Sequence, residues 1–379
     1  MTRRRRSWLL PILGALAATL LAASPGLAAT SGTWTPTGSM EQARAFFTAT
    51  LLRNGDVLVA GGYDATQPRI EFNSAEIYHP ADGTWRPAAP MHDVRAAAVA
   101  VGLPAGRVMV IGGENLSGPL NTAEIYDPRT NTWTETAPML SAHDEDFVAA
   151  VSKGTHNTHV LVAGGFDANG PTADSEVYDV STNSWKEVGS MNQARGEFAW
   201  ARLPSGHILV AGGIASEEGP VLDSAEIYDP TTLTWSFTGS MNTARYDLAL
   251  VRLRSGNILA AGGGDPDDVR LKTAELYHPS SGTWTTTGSM TSGRSEIEHG
   301  TVVLNDGRVL VTGGFSAPDT PQASTDIFDP DTHTWSSAGD MSSPRAGHVA
   351  VRLPDGTVLA AGGLDFPPGA TETADIYSE

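Results

Sequence analysis

One phrase recurs seven times in this chain and limits what the chain can fold into. An apolar run ends in two glycines and is followed by an aromatic residue, and in six copies a tryptophan stands seven residues after that aromatic residue. The successive pairs are 51, 52, 48, 50, 51 and 49 residues apart and begin at Gly61, Gly112, Gly164, Gly212, Gly262, Gly313 and Gly362. Such a period predicts one supersecondary unit copied in tandem, because a unit of this size cannot bury its apolar face alone.

Each copy is predicted to form four short β-strands. In the second copy the apolar segments 96–101 and 108–111 flank a glycine-bearing turn, and the segments 123–126 and 132–135 follow. A strand, a turn with glycine and a second strand are typical of a β-hairpin. Beyond the first residues, no segment has the 3.6-residue apolar period of an amphipathic helix. The sequence therefore predicts an all-β protein.

The paired glycines are predicted to end a buried strand. Glycine suits a position that needs positive φ, or one where a bulky neighbour presses on bare backbone. The aromatic residues of the next two strands, for example Tyr228 and Trp235 after Gly212, are the neighbours that we expect there.

The motifs together resemble the kelch repeat. The clearest copy has Val-Ala-Gly-Gly at 210–213, Glu-Ile-Tyr-Asp-Pro at 226–230, Thr-Trp at 234–235 and Met241. The resemblance extends over residues 34–377 and implies that each copy forms one blade of a β-propeller, with its first strand nearest the central channel.

The two ends of the chain look like halves of one blade. A tryptophan strand at Trp34 has no glycine pair before it, and the chain stops at Glu379, just after Tyr377, where the next tryptophan strand would begin. We therefore predict a seven-bladed kelch-type β-propeller, a single domain over residues 29–379, whose last blade is closed by the N-terminal strand. This closure would remove an open sheet edge.

Residues 1–28 are predicted to be a signal peptide. Four arginines are followed by an apolar stretch at 8–22 and by small residues at 26–29, the pattern of an export signal with its cleavage site. The stretch is short for a membrane span. We expect a protein that is secreted or otherwise extracytoplasmic, at the cell surface or in the periplasm, with no stable membrane span after cleavage. Arg5 and Arg6 also resemble a twin-arginine signal, so the export route stays open.

Charge and composition exclude several functions. The net charge is −19 and becomes −23 when the four arginines of the signal peptide are removed. Such a surface argues against a nucleic-acid partner. The chain has no cysteine, so disulfides and thiolate metal sites are ruled out. We expect no cofactor, no metal and a monomer.

A basic residue stands four positions after each repeat methionine. The seven are Arg44, Arg95, His143, Arg195, Arg245, Arg294 and Arg345. By symmetry they would form a ring at the channel mouth, on the face that carries the variable loops. One interpretation is a ligand-binding funnel for a carboxylate, a phosphate or a sulfated sugar. The other is structural: each arginine ties its blade to a neighbour through the acids of the third strands, since a residue present in nearly every copy serves a need of every blade.

Two further groups of polar residues admit alternative interpretations. The segment 143–146, His-Asp-Glu-Asp, has ligands for a cation, or is a solvated acidic loop. His299 and His348 each stand 14 residues before a glycine pair, where they would line the channel or be buried and hydrogen-bonded.

Two classes of function remain open. The leading hypothesis is an exported propeller that binds a protein or a glycan on the variable-loop face. The alternative is a carbohydrate-active enzyme. Resemblance to galactose-oxidase-like copper enzymes implies a cysteine–tyrosine cofactor, which a chain without cysteine cannot build. Resemblance to sialic-acid-mutarotase-like proteins implies a carboxylate and an arginine at the channel mouth. No residue is singled out as catalytic, and no Gly-x-Ser-x-Gly or His-Glu-x-x-His motif is present.

Overall fold

The computed structural model describes residues 32–65, 69–145, 147–153, 158–318, 320–365 and 369–379. The predicted signal peptide, residues 1–28, lies outside these ranges. Within them the fold is an all-β propeller of seven blades, each an antiparallel sheet in which neighbouring strands along the chain pair with one another. The predicted fold class is confirmed.

The strands occupy equivalent positions in every blade. The first strands are Thr48–Leu51, Val99–Gly102, Val148–Lys153, Ala199–Arg202, Ala249–Arg252, Thr301–Val303 and Val349–Arg352. The second strands are Val57–Ala60, Val108–Ile111, Thr158–Ala163, Ile208–Ala211, Ile258–Ala261, Val309–Thr312 and Val358–Ala361. The third strands are Ala75–His79, Ala123–Asp127, Ser175–Asp179, Ala225–Asp229, Ala274–His278, Thr320–Asp329 and Ala374–Ser378. The fourth strands are Thr84–Ala88, Thr132–Glu135, Ser184–Glu187, Thr234–Phe237, Thr283–Thr286, Thr334–Arg345 and Thr33–Thr37.

Short strands project from the loops between second and third strands. They are Tyr63–Asp64 with Ile70–Glu71, Glu114–Asn115 with Gly118–Pro119, Phe166–Asp167 with Gly170–Pro171, Leu364–Asp365 with Gly369–Ala370, and Phe315–Ala317 with the start of Thr320–Asp329. A 3₁₀ turn, Pro104–Gly106, is the helical element of the described residues, and none of these residues forms a helix long and apolar enough to span a bilayer.

The ring closes through the two ends of the chain. Strand Thr33–Thr37 pairs antiparallel with Ala374–Ser378 and places Trp34 opposite Tyr377, with ring centroids 5.2 Å apart. The Nε1 of Trp34 also donates a hydrogen bond to Thr325 Oγ1 of the preceding blade, 3.2 Å away. The last blade thus consists of three C-terminal strands and one N-terminal strand, as predicted.

The core is divided among the blade interfaces. Seven apolar clusters fill the seven contacts between neighbouring blades. At the junction of blades 7 and 1, for instance, Leu359 and Leu353 pack against Val57, Tyr78 and Trp85. Because every blade has two buried faces, its second strand is apolar throughout, and this explains the continuous apolar runs before the glycine pairs.

Glycine is required at the paired positions for a different reason from the one expected. Gly61 and Gly62 both have positive φ, 73° and 86°, which matches half of the prediction. A side chain on Gly61 would collide with the carbonyl oxygen of Arg95, however, and one on Gly62 with that of Ala45. The expectation that tyrosine and tryptophan press on the glycines is wrong, because these aromatic rings pack on each other. The glycines instead leave room for the links between blades.

Candidate functional site

Each basic residue of the predicted ring points into its own blade. Arg195 donates hydrogen bonds from Nη1 to the carbonyl oxygens of Gly212 and Ser224, at 2.8 and 3.1 Å, and from Nη2 to Glu226 Oε1 at 3.1 Å. Glu226 also accepts from the amide of Asn192 at 2.8 Å. The pair therefore holds the link that enters blade 4 against the second and third strands of that blade, and we call such a pair a clamp.

The clamp recurs around the ring. Arginine and acid lie 3.0, 3.2, 3.0, 2.6 and 2.8 Å apart in the pairs Arg44–Glu76, Arg95–Glu124, Arg245–Glu275, Arg294–Asp326 and Arg345–Asp375. In blade 3 the Nδ1 of His143 donates to the Gly164 carbonyl at 2.8 Å, and its Nε2 lies 3.4 Å from Glu176. All seven basic side chains are 0% exposed. Ligand binding by them stays a prediction, since the contacts that the structure gives them are internal.

The channel mouth is formed by the residues two positions after the clamp residues. We call these the mouth residues: Phe46, Ala97, Glu145, Glu197, Asp247, Glu296 and Gly347. Their φ angles lie between 46° and 58°. Each precedes a first strand, and four backbone bonds join them from blade to blade: the amides of residues 46, 97, 247 and 296 donate to the carbonyls of residues 347, 46, 197 and 247.

Left-handed backbone at non-glycine residues is costly and persists only where surrounding contacts impose it. Here the clamp on one side and the backbone bonds on the other provide those contacts. Residues 347, 46 and 97 therefore form one hydrogen-bonded arc at the channel opening, and residues 197, 247 and 296 form a second, on the variable-loop face.

Carboxylates occupy one side of this opening. Glu145, Glu197, Asp247 and Glu296 come from four successive blades, and Glu298 follows in blade 6. Burial raises the pKa of Glu296 well above its usual range, and the negative charges of Glu298, Glu145 and Glu197 raise it further, while Arg270 opposes them. Only carboxylates that lie close together affect one another in this way. The four blades thus present one acidic crescent, which consists of these five residues.

Aromatic rings occupy the other side. Phe46 stacks on Tyr63, with centroids 5.5 Å apart and planes 6° from parallel. The guanidinium carbon of Arg69 lies 3.9 Å from the Tyr63 ring centroid, and Arg69 is paired with Glu114 at 2.9 Å. Ala97 and Gly347 complete this side of the ring with small residues. The mouth therefore has an acidic half and an aromatic half.

Blade 6 has an additional turn before its first strand. Between the clamp residue and the first glycine of the pair the step is 19 residues here, against 17 in five other blades. The additional residues form a turn at 297–300, closed by a 3.1 Å bond from the Gly300 amide to the Ile297 carbonyl. This turn places Glu298 beside the mouth and leaves His299 exposed.

His348 supports that turn from the next blade. Thr312 Oγ1 donates to the Gly300 carbonyl at 2.8 Å, so it must accept from His348 Nε2, which lies 2.7 Å away. Burial and the neighbouring positive charge of Arg345 lower the pKa of His348 to about 3. His348 is thus a buried, neutral, hydrogen-bonded histidine, as one of the two alternatives predicted, whereas His299 is not buried.

Comparison with known proteins identifies the family to which this chain belongs. A model described as the Kelch motif matches residues 45–92, 95–140, 149–192, 204–242 and 299–342, which is more than half of the chain. The chain belongs to the kelch family.

Among solved structures, the kelch chain is similar to a fungal alcohol oxidase of the AA5 family determined in complex with copper. The TM-score is 0.72 and the identity 18%, over 92% of this chain and 76% of that one. At this identity the likeness concerns the fold. No curated protein matches the chain.

The residues of this kelch propeller do not fit a galactose-oxidase-like copper centre. Cysteine is absent, and within the described ranges no group of three or more histidine, aspartate or glutamate side chains is arranged to hold a metal ion. His143 and His348 already bond to Gly164 and Thr312, and His92 to Glu124. The cation site considered for segment 143–146 cannot be described in full, since Asp146 lies outside the described residues.

Sequence reasoning left two interpretations of the basic residues, and their internal contacts with third-strand acids agree with the structural one. It did not consider the residues two positions later, which lie at the kelch channel mouth. Alignment of the seven copies contains the missing signal, because that position is acidic in four successive copies and Phe, Ala or Gly in the others. A position at which neighbouring repeats share a charge and the remaining repeats do not is typical of a specific surface.

Proposed function

We propose that this chain is an exported kelch propeller that acts as a binding module, with its ligand at the channel mouth on the variable-loop face. Kelch propellers generally mediate protein interactions. Both a protein and a glycan are compatible with an open mouth of this kind. The charge of the chain favours a protein segment that carries lysine or arginine, because a net charge of −19 attracts cations over long range.

The observation that carries the proposal is the divided mouth. Glu145, Glu197 and Glu296 accept hydrogen bonds from amino or guanidinium groups, while the stacked pair of Phe46 and Tyr63 offers an apolar and π-electron surface to the aliphatic part of the same side chains. An anionic ligand would need the clamps to open, since the guanidinium groups of all six arginines are buried and paired.

The test is a binding measurement on a triple variant. The wild-type protein is screened against an array of lysine- and arginine-containing peptides and against a glycan array that includes amino sugars. We expect Glu145→Gln/Glu197→Gln/Glu296→Gln to lose the captured ligand. The matched control, Glu135→Gln/Glu187→Gln/Asp331→Asn, removes the same charge from exposed residues away from the mouth and should keep it.

The possible outcomes separate the alternatives. Peptide capture that depends on the three glutamates supports the proposal in full. Glycan capture with the same dependence supports the mouth but replaces the partner by a sugar. Equal binding by the two triple variants would show that the mouth is not the site.

One observation favours the enzyme alternative. Burial raises the pKa of Glu296 and the charge of Arg270 opposes that rise, and a carboxyl group with a raised pKa under the influence of an arginine suits acid–base chemistry on a sugar. Exchange between the anomers of N-acetylneuraminate, followed by NMR, distinguishes this alternative. If the protein accelerates anomer exchange and Glu296→Gln removes that acceleration, the enzyme alternative is favoured. If the protein does not accelerate the exchange, the binding module is favoured.

A further inference from the structure

The tyrosines of the third strands have hydroxyl groups that need a partner, and two positions provide it. Tyr78 and Tyr277 pair with Thr37 and Thr238, at 2.8 and 2.7 Å. Each of these threonines stands three residues after the tryptophan of the preceding blade.

The other partner comes from within the blade. Tyr126 and Tyr178 donate to Asn131 and Asn183, at 2.9 and 2.8 Å. Each of these asparagines stands five residues after its tyrosine, in the turn to the fourth strand. A buried hydroxyl without a partner is unfavourable, so one of the two positions is expected to be polar unless another group takes its place. In blade 7 the backbone of Gly32 does so for Tyr377.

Tyr228 in blade 4 departs from this rule. Its two partner positions hold Val188 and Leu233, both apolar. The side chain is 2% exposed, and its hydroxyl has no hydrogen-bond partner among the described residues. Burial, together with the charge of Asp229, raises the pKa of Tyr228 to about 12, so the hydroxyl keeps its proton and remains a donor. Because Val188 and Leu233 are both apolar, the buried hydroxyl of Tyr228 donates no hydrogen bond to either partner position.

A cavity lies against this tyrosine. It has a volume of about 330 Å³, lies between blades 3 and 4, and its walls include Ala150, Leu161, Val177, Val188, Ile208 and Leu233. Polar residues also line it: Ser152, His159, Asp179, Ser184, Lys186 and Arg202. Gly206, Pro230 and Leu233 of the lining belong to hairpin turns of blade 4, so the cavity is on the face opposite the channel mouth.

We propose that this cavity binds a small, mainly apolar molecule with one hydrogen-bond acceptor, a carbonyl or ether oxygen, which accepts from the hydroxyl of Tyr228. The cavity is roughly twice the size of an apolar cavity of about 150 Å³ that holds benzene, so a bicyclic molecule fits. The site is separate from the proposed function, which concerns the other face.

The experiment compares two probes of the same shape, 1-tetralone and tetralin, by NMR titration of the full chain without residues 1–28. Tetralone has a carbonyl oxygen and tetralin has none. We expect wild-type protein to bind tetralone roughly five- to tenfold more tightly, the ratio that one neutral hydrogen bond provides. Tyr228→Phe should bind both probes equally, and Tyr178→Phe, which removes a hydroxyl already paired with Asn183, should keep the wild-type ratio.

Two features keep the test decisive. Phenylalanine occurs naturally at the equivalent position of blade 6, Phe328, where it is buried and packs on Trp335, so Tyr228→Phe is compatible with the fold. Leu233→Asn introduces the partner found in blades 2 and 3 and should weaken tetralone binding by a similar factor. The proposal is overturned if neither probe binds at low millimolar concentration, or if the preference for tetralone survives Tyr228→Phe.

Discussion

Arg195 and Glu226 form an ion pair that is closed to solvent on both sides: Nη2 lies 3.1 Å from Oε1, and both side chains are 0% exposed. The two residues are 31 positions apart in the chain, and their contact joins the link between blades 3 and 4 to the third strand of blade 4. Burial lowers the pKa of Arg195, an effect that the charge of Glu226 opposes. A charge in such a place depends on its partner, because removal of one member leaves the other buried and unpaired.

Arg195→Ala is therefore expected to destabilise the protein by about 3–5 kcal/mol, measured by urea denaturation. Arg129→Ala, which breaks an exposed pair with Asp127, should leave the denaturation midpoint unchanged. A stable Arg195→Ala protein that has lost binding of an anionic ligand would instead support the arginine funnel.

Loss of the N-terminal strand should open the ring. A protein that starts at residue 38 lacks Thr33–Thr37 and the contact of Trp34 with Tyr377. Compared with a protein that starts at residue 32, we expect a loss of at least about 3 kcal/mol, the lower range for removal of a packed tryptophan. Thermal unfolding measures it. Equal melting temperatures would mean that closure does not depend on this strand.

His348 should make the protein sensitive to acid. Its pKa is about 3 when folded and about 6.5 when unfolded, so the unfolded chain binds the proton more readily. The stability that His348 contributes is complete above about pH 6.5 and is lost as the pH falls towards 3, with a slope of about 1.4 kcal/mol per pH unit. His348→Leu should remove that slope, which denaturation at several pH values measures. An unchanged slope in the variant would contradict the neutral, buried state of His348.

Glu296 should have the opposite pH dependence. Its pKa is raised in the folded protein, so the folded state binds the proton more readily, and stability falls as the pH rises above about 4.5. Glu296→Gln is expected to raise the melting temperature at pH 8 and to leave it unchanged at pH 4. The exposed Glu187→Gln is the control. A variant less stable than wild type at pH 8 would show that the carboxylate is compensated by a cation.

Leu233→Asn should stabilise blade 4. Leu233 has φ of 60°, a left-handed conformation that asparagine tolerates better than leucine, and asparagine at this position would accept a hydrogen bond from Tyr228. We expect a gain of about 1 kcal/mol in the free energy of unfolding. Leu233→Ala, which removes the same side chain without offering an acceptor, should show no gain.

The repeat pattern alone was sufficient for the architecture. Alternating and continuous apolar runs, glycine turns and the tryptophan spacing are local signals, and each of the first six blades forms from residues within about fifty positions of one another. The closure of the ring could also be predicted, because the segments around Trp34 and Tyr377 are complementary halves of a single unit. The export signal stays a prediction, as it falls outside the described residues.

What the charged residues do was decided by the tertiary structure. The sequence offered contact with third-strand acids as one of two interpretations of the arginines. Burial of both partners, which depends on packing within the ring, distinguishes the two. The acidic half of the mouth likewise arises because carboxylates from four blades meet there. The hydroxyl of Tyr228 is unpartnered because two residues in neighbouring blades, Val188 and Leu233, are both apolar. The sequence by itself determined seven blades and their order, since these depend on local periodicity. Only the tertiary structure decided which side chains face solvent, ligand or one another, because burial depends on the whole ring.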